Sequence, residues 1–593
     1  MFTRREELVG TYGMVASTHW LASASGMSVL ERGGNAFDAA AAAAFVLQVV
    51  EPHLNGPAGE VAAVFHAADA DAPRVLCGQG VAPAGANVSH YTSLGLTEIP
   101  GSGLLAATVP GAWDAWLLLL RDYGTIPLRE VLNYAISYAG RGFPLTRHAS
   151  AAIASVSSVF DTNWTTSRDL WLPGGHIPRH RHANPVLAHT WERLLAAAES
   201  MTSDRTAQIE AARHEWAHGF VAEAIEIFCR TEALDDTGDR HAGLLTAEDL
   251  NDWQASYEDP LTIDVGEWTL AKCGPWSQGP VLAQMLLLLE GFVDELSYEG
   301  EMPTARTVHL TTECAKLAFA DREAWYGDAE VPMADLLSAN YLEQRRALVR
   351  EDASLDLRPG SVAGRRPRLP ACLRLQHESE NATALSAAVL GEPGARLGRS
   401  RGDTVHVSVV DAKGNMVSAT QSGGWLQSSP SIPSLGFCLG TRAQMFWLEE
   451  GLPNSLQPGK RPRITLSPTV AMRDGEPVLA FGSPGGDNQD QWQLCFWLAH
   501  TLGDMDIQRA ADAPTWHSNA FPRSFSPRDW HPGHLAVEAQ LGEAVISELC
   551  NRGHLVVDDD QASALAVVER EPATGLLKGA VSRRTGRGHV VGR

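Results

Sequence analysis

The stretch GDTVHVSVVDAKGNMVSATQS, residues 402–422, decides the reading of this chain. Val405, Val407 and Val409 alternate with His406, Ser408 and Val410, the period-two pattern of a β-strand. Asp411-Ala412-Lys413-Gly414-Asn415 then carries the residue types that reverse a chain, and Met416 to Ser422 reads as a second strand. A three-residue loop with Gly414 in the left-handed conformation is a common hairpin connection, and it places Ser422 directly opposite Thr404. Two hydroxyls then share one face of a sheet, close enough to exchange a hydrogen bond. A slip of one residue would separate them onto opposite faces.

Thr404 stands where the composition changes. Upstream, residues 350–403 are rich in Arg, Gly, Pro and Ser without a sustained period and read as a flexible linker; the seven arginines from 365 to 401 read as solvated. Scission of the Asp403–Thr404 bond would give Thr404 a free α-amine, with a reference pKa of about 7.7–8.0 against about 10.4 for lysine. Such a residue carries nucleophile and base together. Taken alone, Gly-Asp-Thr before a strand is weak evidence and reads as an ordinary strand start.

Further out, 593 residues with 44% apolar content, 54 Gly and 33 Pro describe a folded chain with room for several domain-sized cores. A net charge of −23 repels phosphate backbones and anionic lipid, so neither nucleic acid nor a membrane surface is expected as a partner. The longest apolar run, Ala36 to Val50, is interrupted by Asp38 and Gln48 and is shorter than the ~20 residues of a spanning helix; it reads as a buried, alanine-rich helix packed on a sheet. No secretory signal is readable at the start, which makes the cytoplasm the expected location. Eight scattered cysteines without a CxxC pair read as reduced thiols, and no structural metal is expected. Met14 to Ser17 reads as a short strand and Ala22 to Arg32 as a helix. Residues 110–350 show helical spacing, with Asn184 capping a helix from Pro185; His176, His180 and His182 before it match no ligand spacing and read as solvated.

Eight ordered segments make the chain resemble the γ-glutamyltranspeptidase family of N-terminal nucleophile hydrolases. They are GMVASTHWLASASGMSVLERGGNAFDAAAAAA (13–44), VVEPH (49–53), ATVPGAWDAW (107–116), LLTAEDL (244–250), KLAFADREAWYGD (316–328), GDTVHVSVVDAKGN (402–415), PGKRPRITLSPT (458–469) and FGSPGG (481–486). The resemblance implies an α+β fold, a four-layer αββα sandwich. It implies a proenzyme that cuts itself before Thr404 into a large chain, 1–403, and a small catalytic chain, 404–593, which remain together as one heterodimeric unit. In the large chain, residues 12–110 are expected to supply core strands and helices, 110–350 a helical region and 350–403 the linker. Thr404 falls at the family nucleophile, Ser422 at a second hydroxyl bonded to it, and Gly485 and Gly486 at the pair whose N–H groups form the oxyanion hole. No cofactor is implied, and a higher oligomer is left open.

The head-group contacts depart from the family. An Arg-Glu-x-Ala-Pro segment that pairs with a substrate α-carboxylate reads here Gln79-Gly80-Val81-Ala82-Pro83. Gly424 replaces an Asn, and Met445 replaces an acid that meets the substrate α-amine. Arg442 and Thr465 keep polar groups at family head-group positions, and an arginine there resembles the oxamate amidohydrolase-like branch. The expected substrate is a small-molecule amide: a γ-glutamyl amide by family, an acid amide such as oxamate by Gln79 and Arg442, with a β-lactam side chain as a third option. A reading of another class is an uncleaved, non-catalytic binding homologue.

Overall fold

The computed structural model describes residues 6–373, 404–559, 563–584 and 586–593; Asp403 of the expected cleavage site lies outside them. Among these residues two seven-stranded sheets dominate. In chain order their strands are β1 (Leu8–Gly10), β2 (Gly13–Ser17), β3 (Glu60–His66), β4 (Arg74–Gly78), β5 (Ser256–Glu258), β6 (Leu261–Val265), β7 (Trp268–Lys272), β8 (Thr404–Asp411), β9 (Met416–Ser422), β10 (Thr469–Arg473), β11 (Glu476–Gly482), β12 (Ala566–Arg570), β13 (Leu577–Val581) and β14 (His589–Gly592). One sheet runs β14-β2-β8-β9-β3-β4-β5 and the other β1-β13-β12-β11-β10-β7-β6. Both therefore mix strands from before and after residue 403. Among the helices packed around them are α1 (Trp20–Glu31), α2 (Ala36–Val50), α3 (Gly279–Leu289), α4 (Ala305–Trp325) and α5 (Gln489–Thr501).

The hairpin folds as its sequence dictates. Gly414 sits at φ +92, its N–H bonds Asp411 O at 3.0 Å, and Asp411 Oδ1 accepts the N–H groups of Lys413 and Asn415 at 2.9 and 3.1 Å. This turn sets the register of β8 on β9 from Val410↔Met416 through to Thr404↔Ser422. Strand alternation then assigns two faces. Val405, Val407, Val409, Val417 and Ala419 pack with α2, every residue of which is buried. A capping box starts α2: Asn35 accepts from Phe37 N and Asp38 N, and Asp38 accepts from Asn35 N at 3.0 Å, a cap worth about 1 kcal/mol. Small alanines let α2 approach the sheet closely enough for Gln421 Nε2 to bond Ala44 O at 2.9 Å.

On the other face Val410 and Met416, with Ala16, Ala62 and Val64, form a core with Ala271, Val470, Ala480 and Val568 of the second sheet. Thr404, His406 and Ser408 share this face, and Ser408 Oγ reaches Ala566 O at 3.4 Å. His406 is held between Thr420 Oγ1 and Ser408 Oγ at 2.8 and 2.9 Å, and burial drives its pKa down to about 3. It is a neutral core imidazole. The second sheet's Leu270, Leu479, Phe481 and Val567 join Leu282, Leu317, Phe496 and Trp497 of α3, α4 and α5.

Two expectations need correction. His182 is buried, not solvated: its ring stacks on Trp171 at 4.6 Å, and burial drives its pKa down to about 4. His176 and His180 are exposed. Residues 350–373, expected as tether, are packed: Gly360 N bonds Asp321 at 2.8 Å, Trp325 Nε1 bonds Gly360 O at 3.0 Å, and Val362 and Leu373 are buried. The remaining linker, 374–403, lies outside the described residues. No helix among the described residues is long and apolar enough to cross a membrane.

Candidate active site

Antiparallel pairing brings chain-distant residues into one row. Thr404 opposes Ser422 on β9, and Ser422 opposes Glu60 on β3. The β3–β4 register ends at Val61↔Gly78, and continued by one residue it sets Gln79 beside Glu60. Alternation turns Thr404, Ser422 and Glu60 toward the space between the sheets. All four residues are buried. The register is as expected but the hydrogen bond is not: Thr404 Oγ1 has no hydrogen-bond partner among the described residues, Ser422 included, because shared register sets two side chains on one face without fixing their rotamers, and such a group costs about 1–3 kcal/mol unless a ligand or reaction uses it. From the C-terminal segment, Arg587 Nη2 lies 3.5 Å from Thr404 O.

Arg442 opens a short 3₁₀ turn, Arg442–Met445, and is completely buried. Its Nε donates to Glu60 Oε1, and its guanidinium lies 5.1 Å from the Trp425 ring centre and 5.3 Å from that of Phe525. Nη1 touches Met445 Sδ at 3.9 Å, while Nη2 has no partner among the described residues. Burial pushes the Glu60 carboxyl up, opposed by the charge and hydrogen bond of Arg442. Thr465 is buried with its Oγ1 unpartnered; Gln79 donates from Nε2 to Gly80 O at 2.8 Å and leaves Oε1 unpartnered. Gly424 sits at φ +63, and its carbonyl accepts the Cys438 thiol at 3.2 Å.

Gly485 and Gly486 connect β11 to α5. Gly485 has φ +135, a region closed to ordinary L-residues, and a Cβ there would lie 2.2 Å from Trp492 Cζ3. Gly486, at φ +56, begins a 3₁₀ turn through Asn488. Two consecutive residues without side chains leave their amides free to approach a bound oxygen.

The profile of the gamma-glutamyltranspeptidase family matches residues 22–591. This chain belongs to that family. Among curated relatives, the acylase ACY 1 proenzyme of Pseudomonas sp. (strain SE83) is 30% identical, covering 97% of this chain and 92% of its own. The oxamate amidohydrolase proenzyme of Klebsiella pneumoniae is 29% identical over 97% of this chain and 98% of its own. Among solved structures, LmbA2991HD is 54% identical with TM-score 0.93 and full coverage of both chains. The cephalosporin acylase of Bacillus halodurans gives 26% and 0.80, covering 100% of this chain and 97% of its own.

Within this gamma-glutamyltranspeptidase family chain, the sequence reading did not single out Glu60. It follows Asn55-Gly56-Pro57-Ala58-Gly59, a run with no strand signal, and its partner Arg442 lies 382 residues away. The row Thr404–Ser422, with the register traced onward, could have found it. One cluster among the described residues has metal-ligand types: His309, Glu313 and His554. His309 Nδ1 and His554 Nε2 already bond each other at 2.9 Å, and Glu313 is taken by Lys316 and, at 3.0 Å, by Arg358. Two cations on the carboxylate oppose a bound cation there.

Proposed function

We propose that this chain is the precursor of a self-cleaving amidohydrolase whose mature nucleophile is Thr404. The observation that carries the reading is the position of Thr404: it heads β8 opposite Ser422, facing the second sheet, with a buried hydroxyl that has no partner among the described residues. The sheets and their helices are read as the four-layer αββα sandwich of N-terminal nucleophile hydrolases, built jointly by 1–403 and 404–593. Scission of the 403/404 bond frees the α-amine of Thr404. That amine takes the Oγ1 proton as Oγ1 attacks the amide carbonyl, with Ser422 standing across the strand pair from it. The N–H groups of Gly485 and Gly486 receive the developing oxyanion. The proton then passes to the leaving amine, and water returns the acyl-enzyme to free acid and threonine.

The acyl group is a compact acidic one, as in oxamate. Arg442 Nη2, Thr465 Oγ1 and Gln79 Oε1 are buried polar atoms without a partner among the described residues, while Gln79 and Met445 offer no charges for an α-amino acid head group. Glu60 is the Arg442 counter-ion and fixes which guanidinium edge stays open. Steady-state assays of matured enzyme on oxamate and on a γ-glutamyl anilide test this: oxamate turnover is expected, and dominant γ-glutamyl turnover would sink the acyl-group reading. The acylase relatives support a second reading, a bulkier side-chain amide, tested by adding a β-lactam side-chain amide to the same panel.

Arg442→Lys keeps the charge facing Glu60 but loses the planar fork. A charged hydrogen bond is worth about 1.5–3 kcal/mol, so kcat/KM on oxamate should fall about 10–150-fold, chiefly through KM. An unchanged KM would remove Arg442 from the acyl pocket.

A further inference from the structure

Two glycines in succession have no side chains to fix the direction of their amides, so the restraint on their backbone must come from neighbours. The neighbour here is Asp487, completely buried. Its Oδ1 accepts from Arg322 Nη1 and, at 2.6 Å, from Ser524 Oγ; its Oδ2 accepts from Ser524 N at 2.9 Å. Arg322 is equally buried on α4. Its Nη1 also donates to Gln278 Oε1 at 2.7 Å and its Nη2 to Pro522 O at 2.8 Å, with the guanidinium 4.8 Å from the Phe319 ring centre. Gln278 Nε2 closes the loop, donating to Asp487 O at 3.2 Å and to Asp490 Oδ2 at 2.8 Å. One turn further, Lys272 Nζ lies 3.5 Å from Asp490. Asp487 and Asp490 follow residue 403 in the sequence and Arg322 and Lys272 precede it, while Arg523 Nε, 4.0 Å from Asp487 Oδ2, adds a cation from the same side of the cut as Asp487.

We infer that the buried Asp487–Arg322 pair, with Gln278, is the positioning device that aims the Gly485 and Gly486 amides at the reacting carbonyl oxygen. This rests on the reading of those glycines as the oxyanion hole. Asp487 is a positioning residue and not a catalytic one, because it acts through the backbone it terminates. Burial works to raise the Asp487 carboxyl, but the charges of Arg322 and Arg523 and the hydrogen bonds from Ser524 hold it below the usual carboxylate range. The arrangement also explains why a turn supplied by one segment is registered against a helix supplied by the other. Cleavage at 403/404 leaves the turn anchored across the two products.

The test uses matured full-length enzyme and p-nitrophenyl acetate, a small activated ester, with acetylation of Thr404 followed by mass spectrometry. Asp487→Asn keeps an acceptor for Ser524 and removes the charge facing Arg322; Arg322→Lys keeps the charge and removes the fork. Each should slow acetylation about 10–100-fold, a fraction of the roughly 10²–10³ carried by a single oxyanion donor. The final extent of acetylation and the reactivity of the Thr404 α-amine toward trinitrobenzenesulfonate should stay unchanged, whereas mere misfolding would lower both. The double variant should lose no more than the worse single one, because the two residues act as one unit. Wild-type rates in both single variants, with Gly485→Ala impaired, would overturn the inference and leave the oxyanion reading standing. Wild-type rates in Gly485→Ala as well would overturn both. Failure of wild-type enzyme to acetylate at Thr404 would overturn the nucleophile and everything placed upon it.

Discussion

Thr404→Ala is expected to yield one uncut chain of 593 residues, while wild-type protein resolves into segments ending at 403 and starting at 404. Hydrolysis should drop on the order of 10⁴-fold or more, since attacking atom and proton acceptor vanish together. Stability should hold. The Thr404 hydroxyl is buried and makes no hydrogen bond among the described residues, so deleting it removes an unsatisfied polar group and no hydrogen bond seen there. The variant should therefore melt within a few degrees of unprocessed wild type, which separates lost chemistry from lost folding. Thr404→Ser, which keeps hydroxyl and amine, should still mature. A denaturing gel and intact mass decide the matter: two segments from Thr404→Ala would sink the nucleophile assignment, and an uncut yet fully active wild type would sink the maturation mechanism.

Local grammar made much of this site readable. Asp411, Gly414 and Asn415 specify the hairpin, and the hairpin specifies the Thr404–Ser422 row, because register in a strand pair is fixed by its turn. Asn35 and Asp38 announce the start of the alanine helix that supports that row from behind. Pairings across hundreds of residues were not readable in the same way. Nothing local marks Glu60 as the partner of Arg442, or Asp487 as the partner of Arg322, since side-chain pairing between distant elements leaves no period in the sequence. An arginine in a loop reads as solvated until the fold encloses it between Trp425 and Phe525. His182 illustrates the same limit: Arg179, His180 and Arg181 around it suggest solvent, yet the ring is drawn inward by stacking on Trp171. Residues 350–373 look like tether by composition and are nonetheless held by Asp321 and Glu313, buried acids whose partners could not be paired by spacing.

Gly485→Ala should combine a large catalytic loss with a measurable structural one, and the two can be separated. The backbone at φ +135 is strained for alanine by about 1–3 kcal/mol, and the new methyl would stand 2.2 Å from the Trp492 ring, a backbone-against-indole contact that must displace one of them. Either movement turns the Gly485 amide away from the oxygen it is read to bind, and losing one such donor costs about 2.7–4 kcal/mol of transition-state stabilisation. Turnover should fall at least 10²-fold, accompanied by a lower melting temperature. Pairing it with Trp492→Ala removes the clash but not the dihedral strain. If amide direction is what matters, the double variant recovers part of the melting temperature without recovering turnover. If the loss came only from crowding, activity returns with the space, and the glycine pair would then be a packing feature of the β11–α5 connection with no part in catalysis.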